Sequence, residues 1–135
     1  MTILVIDAQG GGMGRQIVSA VKQNIPAASV IAVGTNTAAT TAMLKTGADE
    51  AATGENSVIV GCRRADIIVG PIGIVIADSM LGEVTPKMAL AVAQSNAKRI
   101  LIPFNHCDNI IAGISDLGTG VLIQSAVDEI KRSQT

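Results

Sequence analysis

The chain alternates short, unbroken apolar runs with longer stretches in which apolar residues recur three or four positions apart. Ile3-Leu4-Val5-Ile6 is the first such run; a run with no polar interruption predicts a strand covered on both faces, as in a parallel sheet. Further on, Met13, Ile17, Ala20 and Val21 fall on one face of a helix that Pro26 closes. Ser29 to Val33 predicts a second strand, Thr37 to Thr46 a helix stopped by Gly47, and Asp49 to Ala52 a weakly marked third strand. A helix is expected to start at Thr53-Gly54-Glu55-Asn56 and to end near Arg63-Arg64, where basic side chains complement the helix dipole.

Asp66 to Val69 predicts the fourth strand. The segment Ile72 to Met80 is apolar nearly all round and fits a strand or a helix; a helix is preferred there because two parallel strands need a crossover between them. Thr85-Pro86 has the form of an N-cap followed by proline at the first helical position, so a helix should run from Pro86 to Ser95. Arg99 to Phe104 predicts a fifth strand, Asn109 to Ala112 a short sixth, and Gly120 to Arg132 a closing helix. Five strand–helix alternations imply an α/β fold, a single-domain Rossmann-like doubly wound parallel sheet of strand order 3-2-1-4-5 with right-handed crossovers. In such sheets ligands bind outside the carboxyl ends of the strands, where the strand order reverses.

Composition narrows the picture. A length of 135 residues leaves room for one domain of ordinary size, and 48% hydrophobic against 16% charged residues excludes a disordered chain. Phe104 is the sole aromatic residue, so the core must be aliphatic. Ten basic and eleven acidic residues give a net charge of −1, and without charge or rings for stacking, nucleic acid is not an expected partner. The apolar stretch from Ile67 to Ala77 lies between Asp66 and Asp78 and contains Gly70-Pro71, far short of the roughly 20 apolar residues that span a bilayer. The first apolar run has no basic region before it and ends at Asp7, too early for a signal-peptide core, so a cytoplasmic location is expected. Cys62 and Cys107 match neither a zinc spacing nor a CxxC pair and are expected as free thiols.

The turn after the first strand reads Asp7-Ala8-Gln9-Gly10-Gly11-Gly12-Met13-Gly14-Arg15. Strict GxGxxG fails because its first position would be Gln9. The looser GxxxGxG fits at Gly12 and Gly14 with Ala8 in place of the first glycine, so the opening resembles that of short-chain dehydrogenase/reductases. Glycines there let backbone N–H groups at a positive helix end approach a phosphate. They also serve any tight βα turn that needs close helix packing. A chain with no Tyr cannot carry the catalytic Tyr of that family, so the resemblance ends with the turn. Over its whole length the sequence resembles a family of short bacterial proteins known as a domain of unknown function. The stretches IDAQGGGMG, GTNTAATTAMLKTGA, ATGEN, VGPIGIVIADSMLGEVTPKM and ILIPFNHC carry the resemblance, which implies a Rossmann-like fold and no assigned role.

The expected function is binding of a nucleotide or another phosphate-bearing small molecule, NAD(P) among the candidates. The expected site comprises Asp7, Gln9, Gly10, Gly11, Gly12, Met13, Gly14, Thr35, Asn36, Glu55, Gly70 and Pro71. The second strand ends in Gly34-Thr35-Asn36-Thr37, with no acid to hold an adenosine ribose, so little preference against a ribose 2′-phosphate is expected. Asp7 places a carboxylate near the proposed phosphate, where like charges repel unless a proton or metal intervenes. The alternatives are a small enzyme using Asp7, Glu55 or Cys107, and an assembly subunit whose glycine turn is only a turn. His106 and Cys107 are neighbours in Asn105-His106-Cys107-Asp108, so their side chains diverge in an extended segment, and an ordinary loop is favoured over a catalytic pair or a metal site. A homodimer is expected, because an Ile72 to Met80 helix apolar on every side, beside Met88, Leu90, Ala91 and Val92, would need covering all round.

Overall fold

The computed structural model describes residues 1–104 and 108–134. Its elements follow in the order β1 (Thr2–Asp7), α1 (Gly12–Asn24), β2 (Ser29–Gly34), α2 (Thr37–Lys45), β3 (Glu50–Thr53), α3 (Glu55–Arg64), β4 (Ile67–Pro71), α4 (Pro86–Gln94), β5 (Lys98–Ile102) and α5 (Thr119–Ser133). The strands form one parallel sheet in the order β3-β2-β1-β4-β5. The expected fold class and strand order are therefore both present.

Strand period explains how the sheet is covered. Ile3, Val5, Val30, Ala32, Ile67 and Val69 face one side, against Ile17, Val18 and Val21 of α1, Met43 of α2, and Ile123, Ala126 and Ile130 of α5. The alternating residues Leu4, Ile6, Ile31, Val33 and Ile68 face the other, against Val58 and Cys62 of α3 and Met88, Ala89 and Val92 of α4. β1 is buried on both faces, which is why its sequence shows no alternation. Cys62 lies in this second layer as a free thiol, and burial pushes its pKa up to about 11, so it behaves as a small apolar core residue.

Two predicted elements are absent. Ile72 to Met80 forms no α-helix: a 3₁₀ turn covers Ile72–Val75, and the chain then runs through successive turns to the N-cap of α4. The crossover from β4 to β5 is made by α4, so no second helix was required there. Asp78, Met80 and Leu81 take positive φ values of 63°, 54° and 58°, a left-handed backbone that cannot continue a helix. Residues 109–112 form no strand, and Ile110 is 94% exposed rather than packed beside β5. β5 itself stops at Ile102 instead of Phe104, because Pro103 has no N–H to give a ladder. Among the described residues no helix is long and apolar enough to cross a membrane.

Candidate functional site

The sheet's strand order reverses between β1 and β4, and a cleft of about 210 Å³ opens at the carboxyl ends of these strands. Asp7, Ala8, Gln9, Gly10, Gly11, Gly12, Met13 and Gln16 form one wall; Pro71 from the end of β4, Met80, Phe104 and Thr119 form the other. A larger cavity of about 540 Å³ lies at the opposite edge, around Arg63, Asp66, Gln94 and Ala97. It sits where α3 and α4 end, so helix carbonyls and their negative dipole ends face it, which disfavours an anion.

The glycines of the turn divide into two pairs. A Cβ on Gly14 would stand 2.6 Å from Met43 Sδ and 2.7 Å from Asp7 Cβ, and one on Gly11, whose φ is +73°, would stand 2.8 Å from Ala39 Cα. These two glycines let α1 pack against β1 and α2. A Cβ on Gly10 or Gly12 would meet nothing within 4 Å. Packing does not require glycine at these two positions, and both line the cleft. Among the described residues the backbone N–H groups of Gly10, Gly12 and Met13 have no hydrogen-bond partner, whereas Gly11 N–H donates to Ala8 O at 3.0 Å. Thus α1 begins with open donors at its positive end, and no acidic residue occupies its first turn. The start of α5 supplies Thr119 to the same cleft, behind Gly118, an N-cap with no side-chain acceptor.

Asp7 closes the floor. Its side chain is 4% exposed, with Oδ1 accepting from Ala8 N–H at 2.8 Å and Oδ2 from Gly14 N–H at 2.6 Å. Burial raises its carboxyl above the ordinary value despite these two donors, and the nearby Glu83 charge adds to the rise. Glu83 is the acid that sequence reasoning missed. It lies in the segment between the 3₁₀ turn and α4 and reaches across the glycine turn to the end of β2. Its Oε1 accepts from Gln9 N–H at 2.8 Å, Thr35 Oγ1 at 2.8 Å and Asn36 Nδ2 at 2.7 Å. Burial opposes ionisation, but these three donors hold the Glu83 carboxyl below its ordinary value. The signal for it was modest: one carboxylate placed after a glycine in a mostly apolar stretch that follows the carboxyl end of β4.

The remaining candidates take other places. Thr35 and Asn36 stand at the end of β2, joined to Gln9 through Glu83, and Asn36 also caps α2 by accepting from Ala39 N–H at 2.9 Å. Glu55 accepts from Thr85 Oγ1 at 2.6 Å, and Thr85 caps α4, so Glu55 ties α3 to α4 rather than lining the cleft. Gly70 admits the Ile6 carbonyl, 2.5 Å from where a Cβ would be, while Pro71 reaches the cleft wall. Asn105, His106 and Cys107 lie outside the described residues. Of Asp7 and Glu55, the described candidates for chemistry, Asp7 alone lines the cleft. Backbone strain gathers here too: Gln9, with φ 52°, faces a segment containing the three left-handed non-glycine residues Asp78, Met80 and Leu81. Such conformations cost of order 1–3 kcal/mol each and concentrate at functional sites.

No curated protein matches the sequence. Among solved structures, the chain is similar to a dodecameric FMN-dependent Ubix-like decarboxylase from Escherichia coli O157:H7, with 17% sequence identity, a TM-score of 0.45, and coverage of 97% of this chain and 76% of that one. The family model described as the domain of unknown function DUF3842 matches residues 2–135, and the chain belongs to that family.

Proposed function

We propose that the protein binds a nucleotide or another phosphate-bearing small molecule in the cleft between β1 and β4, with NAD(P) among the candidate ligands. The carrying observation is the set of open N–H groups on Gly10, Gly12 and Met13, at the positive end of α1 and on the wall of a cleft to which α5 also contributes its first turn. A helix N-terminus favours an anion, and glycine at positions where a side chain would fit keeps the approach clear. The Asp7 carboxyl beneath these glycines opposes an anion when ionised, so the charge that the site tolerates depends on whether Asp7 holds its proton.

A thermal-shift screen with pyrophosphate, mononucleotides and dinucleotides tests this reading. A ligand at 100 times its Kd should add about 2.7 kcal/mol of stability. Stabilisation that disappears in Gly12→Leu is the expected outcome, and no stabilisation by any phosphate compound at millimolar concentration would reduce the glycines to a turn.

The homodimer belongs to the same proposal on a narrower footing, since the Ile72 to Met80 segment is not the all-round apolar helix that first motivated it. Val60 on α3 and Leu90 on α4 are 39% and 54% exposed on adjacent helices, and a second copy would cover both. Light scattering should give a dimer mass for the native chain and a lower one for Leu90→Lys; a monomer mass for the native chain would remove the proposal.

A further inference from the structure

The second strand ends without an acid, yet an ionised carboxylate stands there in space. Glu83 comes from the segment after β4, crosses over the turn that follows β1, and is held at the end of β2 by Gln9, Thr35 and Asn36 through a single oxygen. Its position is firm because Asn36 is itself fixed, with Nδ2 also donating to Gln9 O at 2.9 Å while Oδ1 caps α2. Among the described residues Glu83 Oε2 accepts no hydrogen bond and Glu83 forms no ion pair. A carboxylate with one oxygen saturated and the other open is a placed acceptor beside the phosphate cleft.

We infer that Glu83 is the acceptor for the ribose hydroxyls of the ligand, which makes that ligand a nucleoside phosphate with an unmodified 2′-hydroxyl. The inference rests on the phosphate reading of the cleft. In doubly wound sheets an acid at the end of the second strand accepts from a ribose diol when the phosphates lie on the first helix. Here Thr35 and Asn36, just after the second strand, both donate to the acid that fills that role from the segment after β4. A 2′-phosphate would place a second negative group against Glu83, which forms no ion pair among the described residues, so the expected indifference to a 2′-phosphate is replaced by discrimination against it. The left-handed residues Asp78, Met80 and Leu81 are the backbone conformation through which this segment delivers Glu83.

Calorimetric titration of NAD, NADP and pyrophosphate into the native chain, Glu83→Gln and Gly12→Leu decides the matter, with melting curves confirming that each variant folds. Glutamine keeps an oxygen for the three donors, removes the charge and replaces the open acceptor with an NH2 donor. A charged acceptor contributes about tenfold or more in affinity, so NAD should bind at least about tenfold more tightly than NADP, and the ratio should fall toward one in Glu83→Gln. Equal binding of the two dinucleotides, or a preference that survives in Glu83→Gln, overturns the inference; pyrophosphate binding lost in Gly12→Leu would then leave the phosphate reading intact. Tighter NAD binding by Glu83→Gln also overturns it, since the carboxylate would then be excluding the ribose. If no probe binds the native chain, the phosphate reading and this inference fail together.

Discussion

At the amino edge of the sheet Asp49 accepts from Val30 N–H at 2.8 Å and lies 3.0 Å from Lys22 Nζ, while Asp66 accepts from Thr2 N–H at 2.8 Å. At the carboxyl edge Asp7 accepts from two backbone N–H groups and Glu83 from one, yet neither forms an ion pair among the described residues. The bonding pattern is similar at the two edges, and the electrostatics are not. The Val30 N–H bond, with Lys22 beside it, lowers the Asp49 pKa, whereas burial raises that of Asp7. Asp49 and Asp66 fasten the starts of β2 and β1 at little cost, while the carboxyl edge keeps a buried carboxyl, open N–H donors and left-handed backbone. Features that a stability-driven fold would relax gather at the carboxyl edge, and that contrast supports the proposed site independently of cavity size.

The sharpest break in the comparison comes from the two kinds of glycine at the carboxyl edge. Gly14→Val puts side-chain atoms where Met43 and Asp7 already stand. Overpacking of this kind should cost about 3 kcal/mol, and the melting temperature should fall by roughly 10 °C. Gly12→Leu enters open space at the start of α1, so its melting temperature should hold. It should nonetheless lose pyrophosphate affinity by about a hundredfold or more, because two charge-assisted hydrogen bonds of about 1.5–3 kcal/mol each are blocked. A matching loss of stability in both variants would mean that the whole turn is packing and that the two edges differ less than their electrostatics suggest.

How much of this was legible in the sequence follows from where the information resides. The apolar runs of β1, β2 and β4 and the helical spacing of α1 are local patterns, and they placed the sheet and its order. The Thr85-Pro86 start of α4 was legible for the same reason: capping is decided within four residues. Ile72 to Met80 was misread because apolar content cannot separate a helix from a packed irregular segment, and its left-handed residues are not glycines. The glycine turn was legible as a candidate site, but which glycines pack and which face the cleft depends on Met43 and Ala39, some 30 residues away. Glu83 was invisible for a stronger reason. Its partners Gln9, Thr35 and Asn36 are separated from it by 47 to 74 residues, and only the sheet topology brings them together.

The smaller test reads the two edges through pH. Asp7 has a folded-state carboxyl above its ordinary value of 3.8, so the folded protein holds that proton more tightly than the unfolded chain does. Its contribution to stability is full below 3.8 and is lost as pH rises through the raised folded value. Asp49 is displaced the other way from 3.8: its contribution is full above that value and is lost as pH falls through the lowered one. In melting curves taken from pH 3 to 8, the stability of the native chain relative to Asp7→Asn should therefore grow as pH falls through the Asp7 transition. Relative to Asp49→Asn it should stay level across that range and shrink only toward the acid end, by less than about 1 kcal/mol because the pair is exposed to solvent. The Asp7 proton should also be felt by the ligand. Asp7→Asn removes the titratable group beneath the α1 donors, so pyrophosphate should bind it several-fold more tightly at pH values above the Asp7 transition, with the gain disappearing as the native carboxyl protonates. Parallel pH curves for the two variants would show that Asp7 is fastened and neutralised like Asp49, and the electrostatic distinction between the edges would collapse.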